Sequence, residues 1–294
     1  KGAIVGLART SGSVVKAIDI DADGDQDSFV SGRHVPHQYP SPATSMLLIN
    51  EGGQLVNKTE SFAPEFKHLG MVTDALWTDY DADGDPDLML SGEWMPLTIF
   101  NNQNGLLSKA TISSFENTAG WWFSLASADI DGDGDPDYLA GNLGLNYKYK
   151  TSPEKPFDVY YNDFDGNNKY DIVLGYYNQD KHFPLRGFSC SSEQVPILKS
   201  TFKKYDVFAS LQIEEVYGEE NLKQSLHYET QTFASHFIEN LGNGQFALSP
   251  LPYQAQLSSI NAFHIEDFNA DGQQDILAVG NLFVSEIETP RNDA

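Results

Sequence analysis

Cysteine is nearly absent: Cys190 is the only one in 294 residues, which excludes an intrachain disulfide and any cysteine-built zinc site. A buried or half-buried thiol is the expectation for it. Basic residues are scarce too, with 18 Lys and Arg against 42 Asp and Glu and a net charge of −24. Such a balance repels nucleic acid and anionic membrane surfaces. No run approaches the ~20 apolar residues of a membrane span, so no transmembrane segment is expected. The opening residues, Lys1 to Arg9, lack the apolar run and small-residue cleavage site of a signal peptide, so any export signal is expected outside this chain. Disorder often accompanies strong net charge. Here 40% hydrophobic and 12% aromatic residues supply a packed core instead, in one large domain or two ordinary ones.

The acidic residues are concentrated. Nine-residue windows recur five times: D-I-D-A-D-G-D-Q-D from Asp19, D-Y-D-A-D-G-D-P-D from Asp79, D-I-D-G-D-G-D-P-D from Asp129, D-F-D-G-N-N-K-Y-D from Asp163 and D-F-N-A-D-G-Q-Q-D from Asp267. They hold 21 of the 42 acids. Oxygen ligands at positions 1, 3 and 5, a sharp turn at 6, a backbone carbonyl at 7 and an acid at 9 describe a loop that wraps a hard cation. The candidate ligands are Asp19, Asp21, Asp23, Asp25 and Asp27; Asp79, Asp81, Asp83, Asp85 and Asp87; Asp129, Asp131, Asp133, Asp135 and Asp137; Asp163, Asp165, Asn167, Lys169 and Asp171; and Asp267, Asn269, Asp271, Gln273 and Asp275. Position 7 needs only its carbonyl, so the Lys169 side chain is free to point outward. Position 6 is glycine in four loops and Asn168 in the fourth, the residue types that best tolerate a left-handed backbone. Magnesium keeps its waters, so five all-protein cages point to Ca2+, structural in role. Without a counter-ion, five acidic turns would meet repeated like-charge repulsion.

An EF-hand needs a bidentate Glu at position 12 and flanking helices. Position 12 is Val30, Leu90, Ala140, Leu174 and Ala278, all apolar, which excludes it. Short apolar runs flank each loop, such as Val14 to Ile18 before the first and Leu88 to Leu90 after the second, and these read as strands. Between loops a strand, a Gly/Asn turn and a further strand recur at Met46 to Gly53, Leu97 to Gly105 and His236 to Phe246, which reads as a hairpin. Two hairpins per period of about 50 residues make a four-stranded propeller blade.

At this point the residues are similar to a known family. The D-x-D-x-D-G-x-x-D loop followed by an apolar strand, repeated at blade length, resembles the FG-GAP or VCBS repeats of integrin-alpha-like β-propellers. The Trp77 to Asp81 and Asn142 to Asn146 segments are similar to large bacterial VCBS-repeat surface proteins, some with a UnbV-type module. The resemblance implies an all-β fold, a β-propeller of four-stranded blades with calcium loops, seven-bladed when complete. At roughly 50 residues a blade, residues 1–294 supply five or six, and the chain stops just after the fifth loop's strand, so it is expected to be a piece of a longer one. The resemblance also implies an extracellular place or a bacterial outer-membrane surface.

Two stretches depart from the pattern. Loop starts lie 60, 50, 34 and 104 residues apart, and 34 residues cannot hold four strands. The fourth loop is therefore expected as the outer hairpin turn of the third blade, with Val159 to Asn162 aligned on Leu47 to Asn50, or else in a register of its own. Residues 178–232 form a helical insertion of one to three short helices, with Ser191 to Gln194 as a start and a polar run from Glu214 to Gln224.

The functional expectation is a calcium-binding cell-surface module that takes a protein or glycan ligand; where the ligand is a protein, this merges with a subunit of a larger surface complex docked through the insertion. Trp94, Trp121, Trp122, Tyr147 and Tyr149 are candidates to stack on sugars, against the alternative that Trp121 and Trp122 pack between blades. The other reading is a glycan hydrolase or lyase on a propeller scaffold. Its candidates outside the loops are His227, Tyr228 and Glu229, the Glu214 and Glu215 pair, and His182 with Arg186, none in a recognised catalytic pattern.

Overall fold

The computed structural model describes residues 11–281. Strands β1 (Val15–Ile18), β2 (Asp27–Val30), β3 (Met46–Asn50) and β4 (Leu55–Asn57) pair in chain order as an antiparallel sheet, followed by the one-turn helix α1 (Thr59–Phe62). β5 (Met71–Thr78), β6 (Asp87–Met95), β7 (Thr98–Gln103) and β8 (Leu106–Lys109) repeat the arrangement, and the short β9 (Gly120–Trp121) pairs with the far end of β6. In both sheets the acidic loop joins the first two strands and a Gly/Asn turn joins the last two. The register closes each loop at the pair Ile18/Asp27 or Thr78/Asp87.

The third sheet is split. β10 (Ser124–Ala128) and β11 (Asp137–Gly141) start it, and the chain then leaves. It builds β12 (Phe157–Asn162), β13 (Asp171–Asn178) and β14 (Lys181–Pro184), then five short helices, α2 (Phe188–Gln194), α3 (Ile197–Thr201), α4 (Tyr205–Ser210), α5 (Ile213–Tyr217) and α6 (Glu219–Lys223), then β15 (Leu226–Thr230). These strands form a separate sheet in the order β14-β13-β12-β15. Only afterwards do β16 (His236–Asn240) and β17 (Phe246–Pro250) return to complete β10-β11-β16-β17. β18 (Ala262–Glu266) and β19 (Asp275–Val279) form a two-stranded pair around the fifth loop.

The expected place of the fourth loop as the third blade's outer turn is therefore wrong. That turn belongs to β16 and β17, and the fourth loop joins the first hairpin of the inserted sheet. The excursion from the repeat is also wider than 178–232, since β12 and β13 precede it. Five helices form rather than one to three, and Ser191 to Gln194 ends α2 instead of starting it. Gly187 caps the start of α2, and Pro196 and Gly218, the latter at φ 85°, break the run into short pieces.

Packing explains why β6 is buried on both faces. Leu88 and Leu90 point into a core shared with Phe29, Leu47 and Ile49 of the first sheet, while Met89 and Leu76 point into a second core with Tyr138, Ala140, Ile238 and Phe246 of the third. Strand alternation sends neighbours to opposite faces, so one apolar run serves two interfaces. Phe66, on the turn after α1, wedges edge-on between Phe29 and Phe100 at 5.3 and 5.2 Å. Each such side chain contributes ~2–3 kcal/mol when fully buried. The first strands of successive sheets lie side by side, β1 by β5, β5 by β10 and β10 by β18. A separate cluster, Met71, Trp94, Leu143, Phe157, Val159 and Phe233, fastens the inserted sheet to the second sheet.

Candidate functional site

The five acidic loops share one hydrogen-bond scheme. The position 1 carboxylate accepts the backbone N–H of position 6 in every loop: Gly24 to Asp19 at 2.9 Å, Gly84 to Asp79 at 3.1 Å, Gly134 to Asp129 at 3.2 Å, Asn168 to Asp163 at 2.7 Å and Gly272 to Asp267 at 2.8 Å. The position 5 side chain accepts the N–H of position 7, as in Asp25 to Asp23 at 3.0 Å and Lys169 to Asn167 at 2.7 Å. The position 9 carboxylate accepts the N–H of position 2, from Ile20 to Asp27 through Phe268 to Asp275. These donors fold each loop inward and leave carboxylate oxygens facing one another.

The left-handed turn at position 6 is present in all five, at φ 96°, 93°, 100° and 87° for Gly24, Gly84, Gly134 and Gly272 and 63° for Asn168. Position 4 is left-handed as well: Ala22, Ala82 and Ala270 at about 60° and Gly132 and Gly166 at 82° and 73°. Sequence reasoning passed over this position. Its signal was there, because position 4 is alanine or glycine in every loop.

Ligand atoms of positions 1, 3 and 9 lie within 4.8 Å of one another in the first four loops: Asp19, Asp21 and Asp27; Asp79, Asp81 and Asp87; Asp129, Asp131 and Asp137; Asp163, Asp165 and Asp171. These clusters can hold a metal ion. The fifth loop carries Asn269 at position 3 and keeps the same backbone bonds to Asp267 and Asp275. Buried oxygens of Asp81 and Asp165, both position 3, and of Asp25 at position 7 have no hydrogen-bond partner. A buried acceptor without a donor is costly, and a cation among the three carboxylates satisfies the two at position 3. The residues present therefore fit a hard cation.

Electrostatics agree. Burial, followed by the neighbouring carboxylates, pushes the Asp87 carboxyl up to about 7 even though the N–H groups of Asn102 and Tyr80 pull the other way. Burial likewise lifts Asp171 to about 6 and raises Asp137. Asp21, Asp25 and Asp81 are raised by desolvation and by the acids beside them. A divalent ion would offset both causes, since its charge favours the ionised form.

Three asparagines that the sequence does not single out tie the loops to the sheets. The N–H of Asn50, Asn102 and Asn240, at or next to the end of a third strand, donates to the position 9 carboxylates Asp27, Asp87 and Asp137 at 2.8, 2.8 and 2.9 Å. The Asn102 side chain then donates across the interface to the Ile20 carbonyl at 3.3 Å, and Asn240 to the Tyr80 carbonyl at 2.9 Å. Each of these carbonyls is position 2 of the preceding sheet's loop. One loop is thus held by its own sheet and by the next.

Elsewhere the sequence candidates separate. Trp94 and Trp122 are buried, and Trp121 packs among Trp94, Phe157 and Phe233, so packing claims all three. Tyr149 stacks on Phe157 with Tyr147 beside it. Cys190 is exposed rather than buried, because α2 turns Ser191 and Ser192 to the interior. Glu215 closes the cap of α5 with Gln212. His182 and His227, by contrast, both meet one buried carboxylate, Asp158, with Glu214 on the far side of His182 and Glu229 beside His227. No helix among the described residues is long and apolar enough to cross a membrane. No curated protein matches the chain. From the first aspartate of the second loop through the strand that follows the third, residues 79–140 match the model of the FG-GAP-like repeat family.

Proposed function

We propose that the chain is a Ca2+-stabilised β-propeller whose sheets are blades and whose five loops each hold one Ca2+, serving outside the cell as a binding module for a protein or glycan. The observation that carries this reading is the repeated loop itself: one backbone scheme in all five, three converging carboxylates in the first four, and buried position 3 oxygens of Asp81 and Asp165 that lack any donor. All-oxygen ligation at this density suits Ca2+, and in extracellular modules such sites bind at ~10⁻⁴–10⁻³ M, which keeps them filled outside cells and unfilled in cytosol. The adjacency of β1, β5, β10 and β18 supports a radial arrangement around a common axis. Five divalent ions would offset ten of the 24 net negative charges, so the acidity reports the metal more than the partner.

Thermal melting with Ca2+ and with EDTA tests the structural role: the chelated protein should melt well below the Ca2+ form. An unchanged melting temperature refutes it. Incubation with a panel of glycans separates a binder, which retains glycan intact, from an enzyme, which cleaves it.

A further inference from the structure

The inserted sheet carries a second cluster whose chemistry differs from the loops. Residues of one face alternate along its strands, and on that face stand Asp158 and Tyr160 of β12, Gly175 and Tyr177 of β13, His182 of β14, and His227 and Glu229 of β15. The antiparallel register sets Asp158 opposite Glu229 and Tyr160 opposite His227. Ligand atoms of Asp158, His227 and Glu229 lie within 4.8 Å of one another. His227 Nε2 is 3.4 Å from Asp158 Oδ2 and 3.9 Å from Glu229 Oε1. Donors held at ~2.0–2.1 Å by tetrahedral zinc stand roughly 3.3 Å apart, so the three need only a small closure, chiefly of the exposed Glu229.

The surroundings fix these ligands. His182 Nε2 meets the other Asp158 oxygen at 3.1 Å, while its Nδ1 faces Glu214 of α5 at 3.4 Å. The Tyr160 hydroxyl donates to Asp158 Oδ2 at 3.1 Å. His227 lies flat on Tyr160, with ring centres 4.2 Å apart and planes 6° off parallel, and His182 lies flat on Tyr177 at 4.6 Å and 7°. Gly175 sits beneath the cluster, where a Cβ would overlap both Asp158 Oδ1 and His182 Nε2. The carboxylate is thus a buried anchor with locked partners. The side chains of Asp158, His227 and Glu229 are 3%, 33% and 44% exposed, which leaves an open side for water or a ligand.

We infer that Asp158, His227 and Glu229 form a binding site for one first-row transition-metal ion of the zinc type, with His182 and Tyr160 positioning Asp158. An imidazole nitrogen beside two carboxylates suits zinc, copper, iron or nickel, and hard cations prefer the all-oxygen loops. Hydrogen-bonded partners behind the ligands are the usual support of such a site. The open side is the arrangement in which zinc retains a water. This inference is independent of Ca2+ in the loops. The competing arrangement is His227 hydrogen-bonded to Asp158 with no metal.

Co2+ distinguishes the two. The full chain, kept in millimolar Ca2+ to occupy the loops, is titrated with Co2+ while visible absorption and the imidazole NMR signals are followed, and Zn2+ is then added. The expected result is one equivalent of Co2+ with a ligand-field band, paramagnetic loss of the His227 signal, and displacement by Zn2+. H227A and E229Q should each weaken binding at least 10-fold. H264A, on the β18–β19 pair, should leave it unchanged. Glu229 is exposed enough that E229Q decides the matter if H227A misfolds by circular dichroism. Absence of a Co2+ equivalent, or one held equally well by H227A and E229Q, overturns the proposal.

Discussion

Moving the metal-free protein from pH 7 to pH 5 should stabilise it, and the Ca2+-loaded protein should respond in the opposite direction. Asp87 and Asp171 carry folded pKa values of about 7 and about 6, above the unfolded value of about 3.9. The folded state therefore holds more protons than the unfolded chain across this window, and stability falls as pH rises through it. Between pH 5 and 7 the fully buried Asp87 accounts for about 2 kcal/mol and the nearly buried Asp171 for about 1 kcal/mol. His182, raised because Asp158 and Glu214 outweigh its burial, acts in the same direction, losing its contribution as pH climbs above its unfolded value. Asp158 and Asp163 are lowered, so their contribution is lost only at still lower pH and stays out of the window. At roughly 2–4 °C per kcal/mol, the metal-free melting temperature should rise by at least about 5 °C at pH 5. Calcium binds the ionised carboxylates alone, and at 100-fold above its Kd adds ~2.7 kcal/mol per site, so loaded protein should lose stability on acidification. Melting curves in EDTA and in Ca2+ at the two pH values decide it. Metal-free protein that is more stable at pH 7, or equal pH slopes for the two forms, refutes the reasoning.

Other outcomes follow from single contacts. N240A removes a buried donor to the Tyr80 carbonyl and should cost ~1–3 kcal/mol, measured as a lower denaturation midpoint; an unchanged midpoint would show that the bond between sheets contributes nothing. G84A forces a left-handed alanine at φ 93° and should destabilise by ~1–2 kcal/mol, whereas A82G relieves φ 58° and should be neutral or slightly stabilising; the reverse ranking in thermal melts contradicts the loop geometry. G175A drives a methyl into Asp158 and His182 and should cost ~1–3 kcal/mol, so a melting temperature equal to the parent's would refute the tight cradle.

The loops were legible because their chemistry is local. Nine consecutive residues carry the acidic side chains, the turn and the first residue of the exit strand, and repetition alone reveals the windows from Asp19 to Asp275 as one device used five times. The same locality made the hairpins at Met46, Leu97 and His236 readable. What stayed hidden depends on distant pairing. β11 closes against β16 across an inserted sheet, and no local pattern says that Tyr138 will face Ile238 rather than the nearer Val159. The Asn102 and Asn240 bridges were hidden for the same reason, since their partners lie a whole sheet away. Position 4 was a different omission, visible in Ala22, Ala82 and Gly132 once backbone conformation, and not only ligand type, is asked of each loop residue. The acids and histidines of the Asp158 cluster come from β12, β14, β15 and α5, so the sequence shows them only as scattered residues.

The number of Ca2+ ions bound per chain tests the central claim most directly. Equilibrium dialysis against millimolar 45Ca2+, with stability followed in the same samples, should give five equivalents, one for each loop from Asp19 to Asp267, and a melting temperature that climbs as they fill. Binding of no Ca2+ in that range, or full binding with no change in stability, contradicts the account.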